Sequence, residues 1–236
     1  MSVSRKALFK KRGRRAAALG VVGLGACAVL AACSPVQMGS AAIVGNQRIT
    51  VSTLDTQVSN WQTAAKPYKS SIQLTTTQAP TQVLSWLIRF AVMDQVAASN
   101  GISVTQAQTA AALSSLSGTA AQNGFSSTSQ LLIANGVAPQ MFSQLGRYEA
   151  EVDAFARKQN HGQEPTSTAQ QNAFSTAINK AECTAAKSLN IQVSPQFGRF
   201  DYATSSFGVV AGADTLSKPA GTPSPASTEG MTPAAC

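Results

Sequence analysis

Four cysteines and one histidine are the most reactive side chains in this 236-residue chain. His161 lies in the polar run His161-Gly162-Gln163-Glu164-Pro165, with Glu164 as the one adjacent carboxylate and no cysteine nearby. That is a solvated loop position rather than a base or a metal ligand. Any Ser–His pair would have to run through His161, and no Gly-x-Ser-x-Gly elbow is present. A tetrahedral zinc site would consume nearly every Cys and His the chain owns. Gly20-Val21-Val22-Gly23-Leu24-Gly25 has the look of a nucleotide loop, but it lacks the strand, helix and acidic residue that would make it one. The residues thus supply no catalytic group, no metal site and no cofactor site, and the chain is expected not to be an enzyme.

Cys33 is the exception. Residues Met1 to Arg15 form a basic n-region, and Ala16 to Ala32 is an uncharged run of Ala, Gly, Val and Leu. Its strongly apolar part, Leu19 to Leu30, is shorter than the ~20 residues a membrane-spanning helix needs, and small residues follow it. The run ends in Leu30-Ala31-Ala32-Cys33, which resembles the bacterial lipobox. There a nucleophilic thiol receives diacylglyceryl, and cleavage falls between the equivalents of Ala32 and Cys33. An ordinary signal that happens to contain Cys33 is the alternative. On the lipobox reading residues 1–32 are a signal peptide, Cys27 leaves with it, and 33–40 form a lipidated tether. Two or more acyl chains, at ~0.8 kcal/mol per buried methylene, hold a protein stably on a membrane surface. Arg14 and Arg15 sit in a poor twin-arginine context, so the general secretory route is expected.

Removing that segment also removes an apparent clue. Seven of the 18 Lys+Arg residues precede Ala16 and no acidic residue does, which leaves 11 basic against 10 acidic groups. The formal charge of +8 therefore reports targeting, and no nucleic-acid partner is implied. The remaining 204 residues suffice for one domain and a tail.

The elements that would position any site are mostly helical. Ala42-Ile43-Val44 and Ile49 flank Gly45-Asn46-Gln47, a strand-and-turn pattern that needs a distant partner. Ser52-Thr53-Leu54-Asp55 looks like a capping box, and Leu54, Val58, Trp61 and Ala65 follow at helical spacing until Pro67, predicting a helix over about 51–65. Val83, Leu84, Leu87, Ile88, Ala91, Val92 and Val96 predict a second helix over 79–99, at the centre of the core. Ser103-Val104-Thr105-Gln106 opens a short Ala-rich helix ending before Gly118, and Ser127-Thr128-Ser129-Gln130 opens another that closes at Asn135-Gly136. Pro139 to about Lys158 carries Met141, Phe142, Leu145, Tyr148, Val152 and Phe155 on one face. A further helix is expected over Ser167 to about Ser188, then a short edge strand within 189–201. From about 204 onward the chain is Ser, Thr, Ala, Gly and Pro, the composition of a disordered tail.

This order of signals resembles a known family. Ala42-Ile43-Val44-Gly45-Asn46 with Leu54-Asp55, Val83-Leu84 through Met93-Asp94-Gln95, Gly101-Ile102-Ser103-Val104, Gly124-Phe125 and the Met141–Phe155 helix are similar to the N-terminal domain of SurA-type and PrsA-type extracytoplasmic chaperones. Ile191 to Gly198 is similar to the closing strand of several of them. The resemblance implies a mainly α fold, a small helical bundle over 41–203 closed by a short two-stranded β piece, with 204–236 as a disordered tail. It also marks a departure, because the parvulin prolyl isomerase domain of fuller relatives is missing at about His161 to Pro165.

The expected function is accordingly a non-catalytic chaperone or polypeptide-binding lipoprotein on the outer face of the cytoplasmic membrane. Its partners would be unfolded or partly folded exported polypeptides, with the membrane held through lipid on Cys33. Trp61, Trp86, Phe90, Met93, Met141 and Phe142 are candidates for a polypeptide-binding groove, since aromatic and Met surfaces adapt to varied apolar side chains; the competing reading is that they are core. Cys183 and Cys236 are a candidate disulfide in an oxidising compartment, against a buried Cys183 and a free Cys236. An assembly lipoprotein that holds one folded envelope partner, and a prolyl isomerase, are the rival functions.

Overall fold

The structure, a computed structural model, describes residues 39–202 and 207–211. The expected signal peptide and, as far as Met38, the expected tether, with Ala32 and Cys33, together with Cys236 and the rest of the expected tail, lie outside the described residues. Among the described residues the fold is mainly α, with six helices and two small antiparallel sheets.

Strands β1 (Ser40–Val44) and β2 (Gln47–Thr50) form a hairpin, as the pattern around Gly45-Asn46 predicts. Gly45 takes φ +58°, the sign that tight hairpin turns favour at their first central residue. Any side chain there would also collide with Leu189, whose Cδ2 lies 2.7 Å from the place of a Cβ. The distant partner of β1 is β3 (Gln192–Val193), so the first sheet has three strands in the order β2-β1-β3. A separate pair, β4 (Arg199–Asp201) with β5 (Gly208–Val210), makes the second sheet. The expected two-stranded piece is thus replaced by three strands and two. Strand β5 lies within the stretch expected to be tail, because its partners are β4 and a helix over a hundred residues away.

Helix α1 (Val51–Ala65) buries Leu54, Val58 and Trp61, and gives way to a 3-10 turn at Lys66-Pro67-Tyr68. Helix α2 (Ala79–Ser99) is the hub: it packs against α1, β1, β5 and two later helices, and buries residues around most of its circumference. Helices α3 (Gln106–Gln122), α4 (Thr128–Ala134), α5 (Phe142–Gln159) and α6 (Thr168–Ser188) complete the bundle. Ser127 is the N-cap its pattern predicts, and Ser167 caps α6 with a capping box to Gln170. The other two caps sit two residues away from the expected positions. Thr50 caps α1 because β2 runs straight into the helix, and Thr105 caps α3 because Ile102 and Val104 stay half-buried in extended chain. Helix α3 also runs on through Gly118 to Gln122. Gly146 lets α3 approach α5, since a Cβ there would stand 2.7 Å from the Thr109 carbonyl oxygen.

Candidate functional site

The six candidate groove residues do not form one groove. Trp61, Phe90, Met93 and Met141 are buried in the core, and only Trp86 and Phe142 retain appreciable surface. The two tryptophans have an architectural task. Helix α4 has seven residues, and the carbonyls at its end take donors from the turn that follows and from two other helices. Trp61 Nε1 donates to the Ile133 carbonyl at 2.7 Å, and Trp86 Nε1 to the Asn135 carbonyl at 2.8 Å. Gln82 Nε2 adds a bond to Asn135 at 3.2 Å. Donors from α1 and α2 thereby fix the C-terminus of α4. Phe142 packs on the core from the first turn of α5.

Trp86 also belongs to a second constellation, which the sequence reading missed. On the face of α2 that carries Trp86, Arg89 and Phe90, the rings of Trp86 and Phe90 lie 5.8 Å apart, and each stands 6.1 Å from Tyr148 of α5. The Arg89 guanidinium carbon lies 5.3 Å from the Trp86 ring centre and 5.8 Å from that of Tyr148, within cation–π range. Tyr148 Oη donates to Glu182 Oε1 of α6 at 3.2 Å. Burial pushes the Glu182 and Glu149 carboxyls above the usual carboxylate range, with the Arg89 charge opposing it in both; Asp153 adds to the rise at Glu149. Burial likewise pushes the Tyr148 hydroxyl up. Arg89 Nε is buried and has no hydrogen-bond partner. A buried donor without a partner costs stability.

The signal was present in the pattern. Phe174, Ile178, Glu182 and Ala186 stand four apart on α6, so a carboxylate interrupts the inward row of that helix.

Next to this constellation is a cleft of about 190 Å³, lined by Gln82, Ser85, Trp86 and Arg89 of α2 and by residues 207–210. A second opening, about 290 Å³, lies under the 66–76 loop between Trp61, Ile72 and Leu74, with Lys66 and Lys69 at its edge. A third carboxyl group site ties α2 to α5: Arg147 pairs with Asp94 at 2.9 Å and with Glu151 at 2.9 Å. Burial raises both carboxyls.

His161 stands in the turn after α5 with φ +54°, next to the Arg157–Glu164 ion pair and away from these clefts. Among the described residues no three His, Cys, Asp or Glu converge as metal ligands, and no helix is long and apolar enough to cross a membrane. Cys183 is disulfide-bonded, and the other three cysteines of the chain lie outside the described residues.

Residues 9–156 match the family described as the SurA-like N-terminal domain. The match takes in the hairpin and α1 to α4 and ends inside α5, so α6 and strands β3 to β5 lie beyond it. No curated protein and no solved structure matches the chain.

Proposed function

The chain belongs to the family of SurA-like N-terminal domains, the non-catalytic module of extracytoplasmic chaperones, and from that premise we propose that it is a membrane-tethered lipoprotein that binds unfolded exported polypeptides. The anchor would be lipid on Cys33, exposed by cleavage after Ala32. The binding surface would be the α2 face around Trp86 and Arg89, where half-buried aromatic surface meets the Ser85 hydroxyl, the Arg89 side chain and the β5 backbone along one cleft. That combination is the observation that carries the reading: apolar area supplies affinity for varied side chains, and the polar groups take up peptide backbone. Cys33 being acylated and Cys27 being removed, Cys236 is the proposed partner of Cys183. No step of this function requires a cofactor.

The test is a fluorescence anisotropy titration of a labelled, permanently unfolded polypeptide with the purified chain from Ser34 onward, with the same polypeptide folded as control. Micromolar binding of the unfolded form alone is the expected result. Absence of binding to both forms would overturn it and favour the lipoprotein that serves one folded envelope partner. For the anchor, Cys33→Ser should move the protein from the membrane to the soluble fraction.

A further inference from the structure

The cleft on α2 is already partly filled by the chain itself. Residues 207–211 run in extended form along α2, and β5 pairs with β4 through Arg199↔Val210, Phe200↔Val209 and Asp201↔Gly208. One main-chain group of β5 is taken by the helix: the Val209 N–H donates to Ser85 Oγ at 2.9 Å, while Ser85 Oγ donates to the Thr81 carbonyl at 2.8 Å. Val209 and Gly208 are buried, and Phe207 sets its ring edge-on to Phe200 at 5.1 Å. At Gly198 a Cβ would fall 2.0 Å from the Val210 carbonyl oxygen, so β4 accepts a strand at close range only because that position is glycine. The stretch from Ala203 to Ala213 contains no charged residue.

These contacts are of the kind any extended, uncharged polypeptide could make. A backbone amide meets a serine hydroxyl, small apolar side chains meet a helix face, and main-chain pairing meets a strand edge, which is recognition by strand addition. The Arg89 side chain lines the same cleft. We infer that Phe207–Ala211 is a built-in occupant of the polypeptide site on α2, and that an extended apolar segment of a client displaces it and takes its place against Ser85 and β4. The inference rests on the polypeptide-binding reading and gives it a location, a backbone-directed mode and an autoinhibitory contact. A site that is open only a fraction of the time binds more weakly by that fraction.

The experiment compares the mature protein with Val209→Glu, which dislodges the strand but leaves Ser85, Arg89 and β4 in place, and with a chain shortened by deletion of residues 207–211, which keeps Cys236. Each is titrated against labelled unfolded polypeptide, and unchanged helical content by circular dichroism checks the fold. About a tenfold gain in affinity for both variants is expected, together with direct binding of a labelled peptide of residues 205–213 to the shortened chain, in competition with the client. Client binding of equal strength in all three proteins overturns the inference and leaves polypeptide binding standing. Peptide binding without client binding in any variant supports the built-in contact and overturns the chaperone reading. Absence of both overturns the two together.

Discussion

Two faces of α2 meet its surroundings on opposite terms. On the side away from Arg89 the packing is closed: Leu84 and Ile88 have no exposed surface, and Trp61 of α1 donates to the Ile133 carbonyl at the end of α4. Toward α5, α6 and β5, the same helix presents a cation between aromatic rings, carboxyls raised by burial and an arginine nitrogen with no partner. The first face is what selection for stability produces. The second holds charged and polar groups where an interface built for stability alone could carry apolar ones, which is why the proposed binding surface is placed there. The contrast is open to experiment from both sides.

The largest effect should come from the closed face. Trp61→Ala removes a side chain that is 2% exposed and takes from the Ile133 carbonyl its indole donor, leaving the Gly136 N–H. A loss of about 3–5 kcal/mol of stability is expected. Trp86→Ala, on the boundary between the two faces, should cost less than half as much and weaken binding of unfolded polypeptide. Urea unfolding of the two variants measures the difference, and equal losses would erase the distinction. Next in size, Gly146→Ala brings a methyl group against the Thr109 carbonyl and should cost about 1–3 kcal/mol by prising α3 from α5, with client affinity unchanged.

The strand on the other face should respond differently. Val209→Ala trims a contact that a local opening can release, so global stability should fall by about 1 kcal/mol or less, while amide exchange in β4 and β5 accelerates and that of α2 does not. Uniform acceleration across the bundle would show that β5 is part of the cooperative core rather than a displaceable strap.

The sequence made one face far easier to read than the other. Apolar residues three and four apart define α2 from Ala79 to Ser99, and Ser127 announces α4, because helix formation and capping are decided within a few residues. Strand β5 was not legible: Gly-Val-Val in a Ser- and Ala-rich stretch becomes a strand only when Phe200 and Ser85 are brought beside it. Nor could position alone tell a tryptophan that caps a helix from one that lines a groove, since both lie on an amphipathic face. Arg89, Tyr148 and Glu182 come from three helices and meet only in the fold, although a carboxylate in the inward row of α6 was the visible hint.

The smallest effect is the most specific to the second face. Burial is the largest influence on the Glu182 carboxyl and raises it above its ordinary value of 4.5, outweighing Arg89 and the Tyr148 hydroxyl, which act the other way. The folded protein then holds this proton more tightly than the unfolded chain, so stability is highest on the acid side of the window that opens at pH 4.5 and declines as pH rises through the raised value. Glu182→Gln keeps an acceptor for Tyr148 and removes the titration. Compared with the native chain, the variant should therefore fare better at pH 8 than at pH 4.5, read as the difference in Tm at each pH. If that difference is the same at both, burial does not dominate at Glu182, and the carboxyl acts there as a settled partner of Arg89, which would bring this face closer in character to the closed one.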